Sequence, residues 1–455
     1  MAAAFERKIT SAITAWLEDD SETRALLIKG ARRVGKTFVV ENLGECLGGR
    51  MLVKLDFQTD SALVDAIFSG PTNDTERIVR LISEYLGLRL EPATALLFFD
   101  EVQLNERALN SLRFFEQSPW HVIATGSLLG VTVKQRHLPF PSGVRQIEMH
   151  PMDFEEFLWA LGEHAMAAAV REHFQSGEPY ILHERALELY RRFLVVGGMP
   201  GVVRSYVESH SFATTASRQR EIDETYVADM TDPDNGINGA AAKRIWESVT
   251  SQLLRASTKK FKYSEVERGG RRERLLEPLE WLEAAGVVTK NDLTRDMRAP
   301  LTPYGDEEGT YFKLYMADTG IMFHKFGIAA QVYLDPKTQA LLSSDFRGAL
   351  AENYVMQALR ANGLRTFYWM PATNAARGEL DFVLQTPLAQ VIPIEVKSGR
   401  NVAARSLKRF IAEAGSPCAL RLSEQQFGAT PIEDANCTLR SVPLYAAFCI
   451  DNAGF

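Results

Sequence analysis

The apolar positions along the chain change their pattern several times. Four short stretches are nearly all apolar: Ala25–Ile28, Met51–Phe57, Ala95–Phe99 and Trp120–Ala124. Runs of this length suit buried strands of a parallel sheet, where helices cover both faces. Segments of helical spacing lie between them. Phe5, Ile9, Ile13, Trp16 and Leu17 share one face within residues 5–22, and Ile78, Leu81, Ile82, Tyr85 and Leu86 share one within 72–90. A third helix is expected from Thr37 to Leu47, stopped by Gly48 and Gly49, and a further strand over Val144–Met149. Strands alternating with helices predict an α/β core over residues 1–150.

Beyond residue 150 the strand signal fades. Residues 151–235 read as a helical lid, ending near the polar, turn-rich run Asp229–Gly236. That run carries alternating acids but lacks the terminal glutamate of a calcium loop. Residues 236–335 read as three helices with a strand or two, a winged-helix pattern. Residues 336–455 return to α/β: a helix over Phe346–Arg360, strands at Thr366–Met370, Gly378–Leu384 and Val391–Val396, a helix near Ala403–Ala414, then strands at Ala419–Leu422 and Val442–Ile450.

Composition narrows the function classes. With 46% hydrophobic and 24% charged residues, the chain has ordinary globular composition. A net charge of −7 excludes a generic polyanion binder, so any nucleic-acid surface must be a local patch. No apolar run reaches the length of a membrane span, and the first residues lack an apolar signal core, so no membrane contact and a cytoplasmic location are expected. Cys46, Cys418, Cys437 and Cys449 are scattered, which argues against zinc and a disulfide framework.

Candidate chemistry begins at the first apolar run. It leads into Gly30-Ala31-Arg32-Arg33-Val34-Gly35-Lys36-Thr37, the spacing G-x-x-x-x-G-K-T of a phosphate-binding loop. Gly30 and Gly35 allow backbone angles and close approach that side chains would block. The loop amides and the helix start then point at phosphate oxygens. Lys36 reaches the β- and γ-phosphates, and Thr37 ligates Mg²⁺. Arg32 and Arg33 can meet phosphate or a partner surface.

The third apolar run ends in Asp100 and Glu101. On its own, an acidic strand end in solvent reads the same way. Downstream of a phosphate loop it becomes the second half of a nucleotide site, with Asp100 holding Mg²⁺ through water and Glu101 polarising the attacking water. The fourth run ends in Thr125, Gly126 and Ser127, where either hydroxyl can sense the γ-phosphate or simply end a strand. An arginine finger, acting in cis or from a neighbouring subunit, is sought after it. Arg145 is preferred to Arg136.

The tail carries a second constellation. Asp381 followed by Glu395-x-Lys397 has the D…E-x-K spacing of restriction-endonuclease-like folds. Strand alternation sends Glu395 and Lys397 to one face. Asp381 and Glu395 can share a divalent cation, with Glu352 as a further ligand and Lys397 activating water. An exposed strand face with one salt bridge, or an inactive relic of the fold, reads the same way. In the middle segment Lys259, Lys260, Lys262, Arg271, Arg272 and Arg274 can neutralise DNA phosphates, but acids are interleaved with them.

Gly30–Thr37, Phe98–Gln103, Ala124–Ser127 and His150–Phe157 together resemble prokaryotic AAA-type P-loop ATPases that carry a C-terminal domain of unknown function. Gly197-Gly198-Met199-Pro200-Gly201 resembles that family's turn between lid helices, and Leu314–Gly320 its signature before the last domain. The resemblance implies an extra strand between the two nucleotide motifs and a catalytic glutamate beside the Asp100 equivalent. The expected fold is thus a parallel-sheet P-loop ATPase core with a helical lid, a winged helix and a C-terminal restriction-endonuclease-like α/β domain. The expected cofactors are ATP and Mg²⁺. ATP turnover would be coupled to DNA binding or processing by the tail. The alternative is an ATP-dependent switch that binds a protein partner and has an inactive tail. An oligomer is compatible with either.

Overall fold

The computed structural model describes residues 5–19, 21–127, 142–255, 259–306, 309–371, 378–399 and 405–451. They fall into two compact units. The first is essentially residues 1–150, and the second holds nearly all of the rest.

The first unit is built on five strands: β1 (Ala25–Lys29), β2 (Met51–Asp56), β3 (Ala95–Asp100), β4 (Val122–Gly126) and β5 (Val144–Glu148). They form one sheet in the order β2-β3-β4-β1-β5, with every pair parallel. β4 therefore lies between β1 and β3, the extra strand that the resemblance implied. Every residue of β3 and β4 is buried, as their apolar runs require. Phe57, Phe68, Phe99 and Phe115 pack with ring centroids about 6 Å apart, two pairs edge to face and two tilted, within one hydrophobic core.

The helices differ in detail from the sequence expectation. The first runs over Lys8–Glu18, and its buried face is Ile13, Trp16 and Leu17. The helix expected over 72–90 is Thr75–Leu86, capped by the Asp74 carboxylate on the Arg77 amide and closed by Gly87 in the left-handed region. The helix after the phosphate loop stops at Glu41, and a separate 3₁₀ turn, Gly44–Leu47, follows. A short helix, Ser61–Phe68, went unforeseen because about two turns carry too little periodicity.

The second unit begins with helices Phe154–Ala160, His164–Ser176, His183–Val196, Pro200–Ser209 and Phe212–Thr231. The first is started by a capping box between Asp153 and Glu156. Three more helices follow: Gly239–Leu253, Tyr263–Val266 and Arg272–Ala284. Next come β6 (Val288–Thr294), the small hairpin β7 (Gly305–Asp306) and β8 (Gly309–Thr310), and β9 (Phe312–Met316). The tail contributes helix Ser344–Ala361, β10 (Thr366–Trp369), β11 (Leu380–Gln385), β12 (Val391–Val396), helix Arg405–Ala414, β13 (Cys418–Ser423), β14 (Gly428–Ile432) and β15 (Cys437–Pro443). Residues 444–449, expected as strand, form a 3₁₀ turn.

One eight-stranded sheet runs β14-β15-β13-β12-β11-β10-β6-β9. β6 pairs with β10 in parallel and with β9 antiparallel. β6 and β9, from the segment read as a winged helix, are thus continuous with the sheet of the tail, while β7 and β8 pair only with each other.

The two glycines of the 197–201 turn have a packing reason. A side chain on Gly198 would meet the Met152 carbonyl at 1.9 Å, and one on Gly197 would meet Asp318 Oδ1 at 2.4 Å. Asp318 accepts from the Gly198 amide at 2.6 Å and from the Ile321 amide at 2.9 Å. Two sequence signatures more than a hundred positions apart are therefore one structural joint.

Candidate functional site

The phosphate loop links the C-terminal end of β1 to the helix Lys36–Glu41. Gly30 has φ +155°, and a Cβ there would meet the Met149 carbonyl at 2.2 Å. Only glycine fits between the loop and the end of β5. Arg33 and Gly35 also have positive φ, 71° and 97°. The Arg33 side chain is exposed. Arg7 is buried and donates to the carbonyls of Val34 at 3.0 Å and His150 at 2.8 Å. It braces the loop from a helix start, a role without a sequence signature.

Lys36 is buried, and its Nζ donates to the Gly30 and Ala31 carbonyls at 3.0 and 2.9 Å. The lysine is thus folded back over its own loop. Burial, aided by Arg32, depresses its pKa to about 8, against the pull of Glu101 and Asp100.

Asp100, at the end of β3, gathers the site. Its Oδ1 accepts from Thr37 Oγ1 at 2.8 Å and from Thr125 Oγ1 at 2.5 Å. Its Oδ2 lies 3.0 Å from Lys54 Nζ, which also donates to Glu41 at 2.8 Å. Lys54 sits on β2, where Lys54 pairs with Phe98 and Asp56 with Asp100. Burial opposes the charge on Lys54, but Glu41 and Asp100 hold its pKa above the usual value. A threonine hydroxyl touching an aspartate carboxylate, both on rigid elements, is a hard-oxygen donor pair that fits Mg²⁺.

Glu101 follows with φ 57°, left-handed for a non-glycine residue. Such outliers concentrate at functional positions. Its Oε2 accepts from Ser127 Oγ at 2.5 Å, from the Ser127 amide at 3.3 Å and from Gln103 Nε2 at 2.5 Å. Burial works against its charge, yet the Ser127 and Gln103 hydrogen bonds and the Lys36 ammonium hold the carboxyl below the usual range. The structure thus brings Gly30, Gly35, Lys36, Thr37, Asp100, Glu101 and Ser127 to one end of the sheet.

Arg145 is a different case. It stands opposite Leu26 near the start of β5, while Glu148 stands opposite Lys29 beside the loop. That places it about 10 Å down the strand, at ~3.3 Å per residue. Its guanidinium lies 3.4 Å from Glu22 Oε2, ahead of β1. Within one chain Arg145 therefore faces away from the phosphates. Arg136 lies outside the described residues.

The acids of the tail meet in the second unit, but not as the spacing suggested. Glu352 is buried, with Oε1 accepting from Lys313 Nζ at 2.9 Å and Tyr315 OH at 2.6 Å, and Oε2 from Lys259. Despite burial, the two lysines and Tyr315 hold its pKa down at about 2. Lys313 is fully buried and also lies 2.5 Å from Glu379 and 4.0 Å from Asp381. Asp381 Oδ2 accepts the Val396 amide at 2.8 Å. Glu395 pairs with Lys397 at 3.0 Å, so alternation does put both on one face, and its buried Oε2 has no hydrogen-bond partner among the described residues. Burial raises the pKa of Asp381, Glu379 and Glu395. Among the described residues no three His, Cys, Asp or Glu side chains are grouped to hold a metal ion. Two of the expected ligands, Glu352 and Asp381, lie beside one buried lysine ammonium. Lys313, which the sequence reading passed over, stands between Glu352 and Asp381.

A five-stranded parallel sheet in this order, with a phosphate loop after one strand and paired carboxylates after another, defines a P-loop nucleotide-binding fold. A family model for the AAA domain matches residues 22–158. This part of the chain is accordingly similar to AAA domains of P-loop type. Two domains of unknown function match further on, DUF8612 over residues 187–332 and DUF4143 over residues 347–429. No curated protein matches the chain in sequence. Similar solved structures include Drosophila ORC bound to DNA (14% identity, covering 72% of this chain and 88% of that one, TM-score 0.29). Others are AMPPCP-bound DnaA from Aquifex aeolicus (13%, 62% and 89%, 0.27) and Cdc6p from Pyrobaculum aerophilum (12%, 75% and 98%, 0.25). At scores this low the likeness does not define a shared overall fold. Among the described residues no helix is long and apolar enough to cross a membrane.

Proposed function

We propose that the first unit binds ATP with Mg²⁺ and hydrolyses it. The observation that carries this reading is the Thr37–Asp100 hydrogen bond, which joins the two nucleotide motifs at the point where a magnesium ion would be held. Lys36 swings from its loop carbonyls to the β- and γ-phosphates, and the loop amides from Gly30 to Thr37 cradle them. Magnesium, when bound, neutralises phosphate charge and orients the nucleotide. Thr37 and Asp100 hold it. Glu101, kept ionised by Ser127 and Gln103, aligns the attacking water and takes its proton. Phosphate release from Mg-ATP tests the reading: turnover should be measurable in the native protein and lost in Glu101→Gln, and equal turnover in both would reject it.

For the output, a switch that docks a protein partner is favoured over DNA processing. Two of the six cations read as facing DNA are engaged by acids, Lys259 by Glu352 and Arg274 by Glu267, and acids also hold the nearby Arg244 and Arg255. A duplex-binding titration at several salt concentrations checks this, since phosphate contacts impose a steep salt dependence. Salt-dependent binding abolished by Arg271→Ala and Arg272→Ala would restore DNA as the partner.

A further inference from the structure

We infer that the Lys313 ammonium is a built-in cation that fills the acidic nest of the tail, so that this nest takes up no divalent metal ion. The inference stands apart from the ATPase reading, since every residue it uses lies in the second unit.

Three observations carry it. First, Lys313 is fully buried on β9, where Nζ is shared by Glu352, Glu379 and Asp381 at 2.9, 2.5 and 4.0 Å. A lone lysine inside a strand whose five residues are all buried belongs there only if fixed charge compensates it. Second, most of the negative charge is already answered, since three lysines stand among the four carboxylates. Lys259 and Lys313 sit on Glu352, and Lys397 sits on Glu395. A divalent ion entering beside Lys313 would meet a positive charge that has no path to solvent. Third, the remaining oxygens are poorly disposed for a metal. Asp381 Oδ2 is taken by the Val396 amide, and Glu352 accepts from three side chains.

The chemical consequence is definite. Without a Lewis acid beside Asp381 and Glu395, the tail has no means of activating a phosphodiester in the manner of D…E-x-K nucleases. Lys313 instead ties β9 to the helix Ser344–Ala361 and to β11, making the nest a joint within the unit.

The test is manganese binding to the full chain, read by the electron-spin-resonance signal of free Mn²⁺. Asp100→Asn is introduced first to silence the nucleotide site, and no nucleotide is added. This protein should leave all Mn²⁺ free. Adding Lys313→Met should create a site, because Glu352, Glu379 and Asp381 then lack their shared cation, and Asp381→Asn on top should abolish it. Mn²⁺ should also raise the melting temperature of the Lys313→Met protein and leave that of its parent unchanged. Tight Mn²⁺ in the Asp100→Asn protein that Asp381→Asn removes would overturn the inference. So would a folded Lys313→Met protein that ignores Mn²⁺. If Lys313→Met fails to fold even with Mn²⁺, the Asp100→Asn measurement decides alone.

Discussion

Thr37 donates a 2.8 Å hydrogen bond to Asp100 across 63 positions of sequence. One residue lies in the first turn of the helix after the phosphate loop, and the other closes β3. Their contact reaches across β4, which lies between β1 and β3 in the sheet. The site is thus a product of strand order as much as of motif.

The first prediction concerns Glu101. Glu101→Gln keeps the size and the Ser127 contact but removes the base. ATP turnover should fall by about 10²-fold or more, the usual contribution of a positioned base, with nucleotide affinity retained. Phosphate release and a nucleotide-binding titration on one preparation separate the two effects.

Ser127 acts through Glu101. Its hydroxyl and amide both stabilise the ionised carboxylate. Ser127→Ala should raise the carboxyl pKa, so the acid limb of the kcat–pH profile moves to higher pH. The sign follows because turnover needs the ionised form. An unmoved acid limb would remove Ser127 from this role.

Lys36 predicts a proton linkage. Its depressed pKa, about 8, leaves much of the free protein with a neutral lysine above that pH. Phosphates bind the ammonium form, so ATP binding should take up a proton above pH 8 and almost none at pH 6.5. Calorimetry in two buffers of different ionisation enthalpy reads the uptake directly.

Gly30 is the steric prediction. Gly30→Ala combines a forbidden φ with a Cβ 2.2 Å from the Met149 carbonyl. It should destabilise the first unit by about 2 kcal/mol, in the range of stored backbone strain. Denaturant unfolding of the two proteins measures it. Arg145→Ala, by contrast, should leave turnover unchanged, because Arg145 serves Glu22 at the other end of β5.

The legible parts of the molecule were those encoded locally. The apolar run ending in Asp100 gave away β3, and the glycine-lysine-threonine spacing gave away the loop, because each needs only neighbouring residues. Lys54 was invisible because its contact with Asp100 depends on the register of β2 against β3. Lys313 was invisible for the opposite reason. Strand alternation gives no warning that a lysine is fully buried, and only the convergence of Glu352, Glu379 and Asp381 from elsewhere in the chain explains it. The joining of β6 to β10 was hidden in the same way, since a parallel pairing over some seventy positions leaves no local trace.

Equilibrium binding of ATP in the presence of Mg²⁺, compared between the native chain and Lys36→Ala, tests the central claim most directly. The native chain should bind, and the variant should bind about tenfold to a hundredfold more weakly, the loss expected for charge-assisted hydrogen bonds of ~1.5–3 kcal/mol. Equal affinity in the two proteins, or no binding by the native chain, would contradict the account.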